Sequence, residues 1–139
     1  MNILFVCTGN TCRSPMAAAL MQRRMEQEGV PGTAESAGLA ADGGPASFGA
    51  QAALAEWGLD LSGHRSRQVT AALCAGADLV AAMSPHHAQA LRAMGVSSNK
   101  LVVLAEGTGG IPDPFGGDLA VYRRTRDALE QAIQALPIR

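Results

Sequence analysis

The chain has 139 residues, the usual size of one domain, and is long enough to bury a core without disulfide or metal staples. Its formal net charge of -1 leaves no electrostatic basis for nucleic-acid binding, and no apolar run approaches the ~20 residues that span a bilayer. Three cysteines, an odd number, do not make a secreted disulfide framework and fit a reducing, cytoplasmic setting in which a thiol can do chemistry.

The apolar run Ile3 to Cys7 predicts a strand buried on both faces; the segment lacks the basic start and cleavage site of a signal peptide. A helix follows, with Ser14 as its expected cap, Pro15 at its first position, Gly29 at its end, and Ala17, Leu20, Met21 and Met25 along one buried face. Thr33 to Ala37 is a weaker strand, and the Gly- and Asp-rich stretch to Pro45 is a surface loop. Pro45 to Trp57 is expected to be helical, burying Ala50, Ala53, Leu54 and Trp57, with Gly58 as the stop. The polar, basic segment Ser62 to Gln68 is exposed or at a site, and a short helix is expected from Val69 to Ala75. Asp78 to Met83 is a third strand. Ser84-Pro85 repeats the cap pattern of Ser14-Pro15 before a helix closed by Gly95. Leu101 to Leu104 is a fourth strand, Ala105 to Gly117 a long loop, and a last helix begins near Asp118, burying Tyr122, Leu129, Ile133 and Leu136. Strand–helix alternation without linkers or repeats implies one α/β domain over residues 1–139, a parallel sheet with helices on both faces, and a site at the carboxyl ends of the strands.

Cys7 stands at such a strand end. The loop Cys7-Thr8-Gly9-Asn10-Thr11-Cys12-Arg13 between a strand and a helix is an anion site: its amides can point inward and the helix dipole adds partial positive charge. Gly9 and Asn10 are residue types that tolerate the left-handed backbone a nest of amides needs. Arg13 adds a planar fork matched to two phosphate oxygens. A cysteine beside an arginine and a helix N-terminus is held as thiolate, and Ser14 is placed to donate to that sulfur. The thiolate is the form that attacks phosphorus, and the amides with Arg13 stabilise the transferring oxygens. A lone cysteine at a strand end is ordinarily packing; the combination of Cys, five residues, Arg and Ser-Pro after an apolar strand makes it a nucleophile. The glycine patterns of dinucleotide and nucleotide phosphate loops are missing here.

Val6 to Pro15 resembles the signature of the low-molecular-weight protein tyrosine phosphatase family, and the likeness extends to Glu35-Ser36-Ala37-Gly38, to His64–Gln68 and to Asp113-Pro114-Phe115. That resemblance implies a four-stranded parallel sheet, no cofactor and no metal. It implies Asp113 as the acid that protonates the leaving group, with Pro114 stiffening its loop and Phe115 stacking on the substrate. It also implies a hydrogen-bonded shell of Asn10, Ser36 and His64 that holds the nest open. From the residues themselves, Asp118 reads as a helix cap, His64 as a surface residue, and His86 and His87 as solvated or rim positions without metal partners. Cys12 is read two ways, as a disulfide partner of Cys7 on oxidation or as a small core residue, and Cys74 as packing.

The expected partners are phosphorylated proteins, with inorganic phosphate or sulfate in the loop, acted on by a monomer. Thr11 stands where tyrosine-directed members carry a larger aliphatic residue; with Asp-Pro-Phe-Gly-Gly it resembles the bacterial protein-arginine phosphatase branch. Phosphoarginine is therefore the expected substrate and phosphotyrosine the alternative. A thioredoxin-linked arsenate reductase shares the nest but needs two further cysteines near the third strand, where only Cys74 lies. A non-catalytic phosphate-binding redox sensor predicts no covalent intermediate.

Overall fold

The computed structural model describes residues 1–138. The chain runs β1 (Asn2–Cys7), α1 (Arg13–Glu28), β2 (Thr33–Gly38), α2 (Phe48–Ala55), α3 (Ala71–Ala75), β3 (Leu79–Ala82), α4 (Pro85–Ala93), β4 (Leu101–Val103), a short 3-10 turn (Glu106–Thr108) and α5 (Leu119–Gln134). The strands form one parallel sheet in the order β2-β1-β3-β4. β1 lies inside the sheet with strands on both sides, so Ile3, Leu4, Phe5, Val6 and Cys7 are all buried, as their continuous apolar character requires.

Alternation along β1 divides the interior. Ile3, Phe5 and Cys7 face a core built with α1, α2 and α5, while Leu4 and Val6 face one built with α3 and α4. The first core takes Leu20, Met21 and Met25 from α1, Ala50, Ala53 and Leu54 from α2, and Leu129 and Ile133 from α5, all fully buried. The chain steps from β1 to β2 on one side and then crosses back over β1 to β3 on the other, so the direction of winding reverses at β1. The crevice at its carboxyl end is the place where α/β sheets bind ligands.

Several local expectations are corrected. Ser14 does not cap α1: the helix starts two residues earlier than expected, at Arg13, Cys12 occupies the cap position without a side-chain bond, and Pro15 is the third helical residue. Gly29 does close it, in the left-handed conformation. α2 starts at Phe48 rather than Pro45, because Ser47 caps it by accepting from the Ala50 amide at 3.2 Å, while Pro45 bridges to Arg65. Trp57 falls beyond its end. α3 starts at Ala71 because Thr70 caps it, and Val69 instead bonds the Gly38 carbonyl at 2.8 Å. Asp118 caps α5 as expected, accepting from the Val121 amide at 3.1 Å.

Candidate active site

The turn from β1 into α1 wraps around the Cys7 sulfur. Asn10 has φ 58°, while Gly9 keeps a negative φ; of the two residues read as left-handed, only Asn10 is. The side chain of Asn10 accounts for the choice of residue. The Arg67 amide can only donate, so the atom it meets at 2.9 Å is the Asn10 amide oxygen, and the Asn10 Nδ2 then donates to Ser14 Oγ at 2.8 Å. Ser14 Oγ, which accepts from Asn10, lies 2.9 Å from Cys7 Sγ and keeps a proton that it can donate to a sulfur without one of its own. The Asn10 backbone amide also donates to that sulfur, at 3.3 Å. The Ser14 hydroxyl and the Asn10 amide therefore converge on Cys7 Sγ, where both can donate to negative charge on the sulfur. Ser14 is withdrawn from helix capping for this purpose.

His64 lies beside this loop. Its Nε2 stands 2.7 Å from the Asn10 carbonyl oxygen, so the proton is on Nε2 and the imidazole pins the left-handed residue. Ser36 is buried and acts through its carbonyl, which accepts from Arg67 Nε at 3.0 Å; Arg67 in turn pairs with Glu35 at 2.9 Å. Arg67 is thus a supporting residue that the sequence reading placed only within a basic segment. Gly38 admits no side chain, since a Cβ there would stand 2.5 Å from the Thr8 carbonyl and 3.0 Å from Asn10. Its neighbours tie down the loop: the Leu39 amide donates to Cys7 O at 3.0 Å and the Ala40 amide to Thr8 O at 2.9 Å.

Arg13 is buried, and its Nη1 donates to the Ile111 carbonyl at 3.0 Å. The segment carrying Ile111 is fastened to the end of β3 by the Ile111 amide, 2.8 Å from Met83 O. Gly110, at φ 103°, passes so close to Met83 and Ser84 that a Cβ would meet backbone at 2.6 Å. Asp113 is thereby brought within 3.7 Å of the Arg13 guanidinium, half-exposed at the mouth. Its Oδ1 accepts from the Phe115 amide at 3.1 Å, which fixes the turn and leaves the Phe115 ring in solvent.

Thr11 is held through its carbonyl, which accepts from the Ser47 amide at 2.9 Å, and its hydroxyl borders the loop. Cys12 is buried in the core beneath, with its sulfur 3.3 Å from Ser47 Oγ and 3.5 Å from the Tyr122 hydroxyl. Burial, and then the hydrogen bond to Cys12, push the Tyr122 hydroxyl above its ordinary pKa. All three cysteines are free, and Cys74 is buried packing as expected. Among the described residues no cluster of metal-ligating side chains occurs, and no helix is long and apolar enough to cross a membrane.

The rim assignment of His87 is wrong. Its ring is fully buried, with Nε2 2.8 Å from Thr8 Oγ1 and Nδ1 2.7 Å from Ser84 Oγ. A signal was present: His87 and Leu91 are four residues apart, so they share the face of α4 that is buried with Ala88. His86, by contrast, is exposed.

A nucleophile-bearing amide nest at a strand end, a buried guanidinium beside it and a carboxyl at its mouth define a phosphatase that works through cysteine. The family profile described as "Low molecular weight phosphotyrosine protein phosphatase" matches residues 2–138, and the chain belongs to that family. It is 42% identical to the protein-arginine-phosphatase of Bacillus subtilis, over 98% of this chain and 94% of the relative. It is 38% identical to the low molecular weight protein-tyrosine-phosphatase Wzb of Escherichia coli K12, over 97% and 95%. A solved structure of the YwlE arginine phosphatase, a Cys-to-Ser mutant with phosphorylated active site serine, superposes with a TM-score of 0.90 at 41% identity, covering 96% of this chain and 91% of that one.

Proposed function

We propose that this phosphatase hydrolyses phosphoarginine in proteins, with Cys7 as nucleophile, Arg13 and the loop amides as phosphoryl holders, and Asp113 as acid and then base. In the first step Cys7 Sγ attacks phosphorus, the P–N bond breaks, and the departing guanidine nitrogen takes a proton from Asp113. In the second, Asp113 takes a proton from water, the water oxygen attacks phosphorus, the S–P bond breaks, and inorganic phosphate leaves with the thiolate restored. The half-exposed position of Asp113 suits a group that must exchange protons with both leaving group and water. The incoming phosphoryl oxygens replace Asp113 on Arg13, since the 3.7 Å contact is too long for a hydrogen bond.

The observation that carries the mechanism is the pair of donors on Cys7 Sγ, from Ser14 and Asn10. The choice of phosphoarginine rests on Thr11 and on the greater identity to the arginine-directed relative, 42% against 38%. Phosphotyrosine is the second reading, favoured by the tyrosine-directed relatives of the same length. Either reading takes the enzyme to be cytosolic, where its three thiols stay reduced, and to act as a monomer, each site residue coming from one chain.

Rates on matched phosphoarginine and phosphotyrosine peptides, for the wild type and Thr11→Ile, test the substrate. The wild type is expected to prefer phosphoarginine and Thr11→Ile to move toward phosphotyrosine; a wild type that prefers phosphotyrosine sinks the arginine reading. Cys7→Ser is expected to bind phosphate but not turn over, and an active Cys7→Ser overturns the mechanism.

A further inference from the structure

Ser84 stands at the cap position of α4, yet its hydroxyl caps nothing. A serine there ordinarily contributes about 1 kcal/mol by bonding the first free amides of the helix. Here Ser84 Oγ sits 2.7 Å from His87 Nδ1 and 2.8 Å from His86 Nδ1 instead. With His87 Nε2 on Thr8 Oγ1 at 2.8 Å, four side chains form one line from the exposed His86 to the residue that follows the nucleophile. Thr8 is itself exposed, and His87 lies close enough to Arg13 and Asp113 to feel both charges.

Proton counting leaves the Thr8 end of this line two states, and at least one order of donors along the line produces each. Burial, then the neighbouring His86 and Arg13, bring His87 down to about 4, so at neutral pH its ring carries one N–H. If that proton is on Nδ1, it goes to Ser84 Oγ, the serine proton goes to His86 Nδ1, and His87 Nε2 takes the Thr8 proton. The Thr8 oxygen then has only lone pairs left to offer. If the proton is on Nε2, it goes to Thr8 Oγ1, His87 Nδ1 accepts from Ser84, and His86 Nδ1 donates to Ser84. The Thr8 hydroxyl proton is then free. An anion in the loop repels the first order and accepts a hydrogen bond from the second.

We propose that His87 is a positioning residue, which turns the Thr8 hydroxyl proton onto a phosphoryl oxygen seated in the loop. This rests on the reading of residues 7–13 as a phosphate loop, but not on which phosphorylated residue is the substrate. His87 touches neither substrate nor sulfur; it acts through Thr8.

Two measurements on the whole chain test it. In the first, imidazole nitrogen and backbone amide NMR spectra are recorded while inorganic phosphate is added. The amides of residues 9–13 are expected to shift, and His87 is expected to carry its proton on Nε2 in the phosphate-bound protein. Shifted loop amides with His87 protonated on Nδ1 overturn the proposal alone. Loop amides that never respond overturn the phosphate-loop reading, and this proposal with it. In the second, kcat/KM on a chromogenic aryl phosphate is measured for Thr8→Val, His87→Leu and the double variant. Each single change is expected to lower it about tenfold. The double variant is expected to be no worse than Thr8→Val, because His87 works through that hydroxyl. Losses that multiply overturn the proposal. His87→Gln, whose amide reaches Thr8 as Nε2 does, is expected to recover most of the rate, and its failure to exceed a folded His87→Leu counts against the proposal. Should His87→Leu not fold, the spectra and the comparison of His87→Gln with wild type decide.

Discussion

Two buried arginines on helices serve opposite ends. Arg126 and Arg13 are similarly hidden, at 7% and 6% exposure. Arg126 is provided for entirely by the fold: Nη1 donates to Ala53 O at 2.9 Å and to Glu56 Oε1 at 2.7 Å, Nε donates to Asp127 at 3.2 Å, and the guanidinium lies 4.1 Å over the Trp57 ring. Arg13 has one carbonyl, Ile111 O, and a carboxylate 3.7 Å away that is half in solvent. A buried cation whose partners are all built in is part of the scaffold. One left with most of its donors uncommitted beside an amide nest is kept for an anion that arrives from outside.

The same substitution at both positions separates the two roles. Arg13→Lys keeps the charge but loses the planar fork. It is expected to cost roughly 1,000-fold in kcat/KM, the scale of losing a transition-state donor, with a melting temperature close to wild type. A smaller loss at the same site is expected for Ser14→Ala, which removes one of two donors on the sulfur: roughly 10- to 100-fold in kcat, the worth of a hydrogen bond to a charged group. Both follow from steady-state kinetics alongside thermal unfolding. An Arg13→Lys enzyme that is active but unstable would merge the two arginines into one class.

Arg126→Lys is the mirror image. A lysine cannot bond Ala53, Glu56 and Asp127 together while lying flat on Trp57. The expected loss is about 2 kcal/mol, combining a cation–π contact with one or two hydrogen bonds, or roughly 4–8 °C in melting temperature. Turnover per folded molecule is expected to be unchanged. A fall in kcat with an unaltered melting curve would show that the Trp57 end communicates with the Cys7 end.

What could be read in advance divides along similar lines. The buried faces of α1 and α5 repeat at three and four residues, and a nest that begins and ends with Cys7 and Arg13 is local, so both were legible. The capping bonds expected of Ser14 and Ser84 are missing for one reason, although the contact of Ser14 with Cys7 is as expected. Ser-Pro before an apolar run is the pattern of a helix cap, but each hydroxyl is taken by a stronger local partner, Cys7 and Asn10 in one case and two imidazoles in the other. The spacing of His87 and Leu91 marks the buried face of α4, but the partner that His87 meets there, Thr8, lies 79 positions earlier in the chain, and no spacing reveals that contact. Arg126 falls on the buried stripe of Tyr122, Leu129 and Ile133, where its charge hides its role because Glu56 and Trp57 arrive from another element.

The two ends also differ in how acid should reach them. Hydrogen bonds from Arg123, then from Arg126, hold Glu56 at about 2, against an ordinary 4.5. Between those values the unfolded chain binds a proton that the folded one does not, so the contribution is complete above pH 4.5 and is lost as pH falls toward 2. His87, held by burial at about 4 against 6.5, behaves likewise in a higher window: stability is complete above pH 6.5 and declines as pH falls toward 4. Melting temperature against pH is therefore expected to fall in two segments, the upper belonging to the Cys7 end and the lower to the Trp57 end. Glu56→Gln is expected to flatten the lower segment and leave the upper one. The effect is the smallest predicted here, because the Glu56 carboxylate is solvent-facing and its pairing is screened. Added salt is expected to flatten the lower segment in the wild type as the substitution does. The upper segment should persist, since burial rather than an exposed ion pair sets the His87 ring. A Glu56→Gln curve parallel to wild type below pH 4.5 would remove Glu56 from the account of why Arg126 is buried.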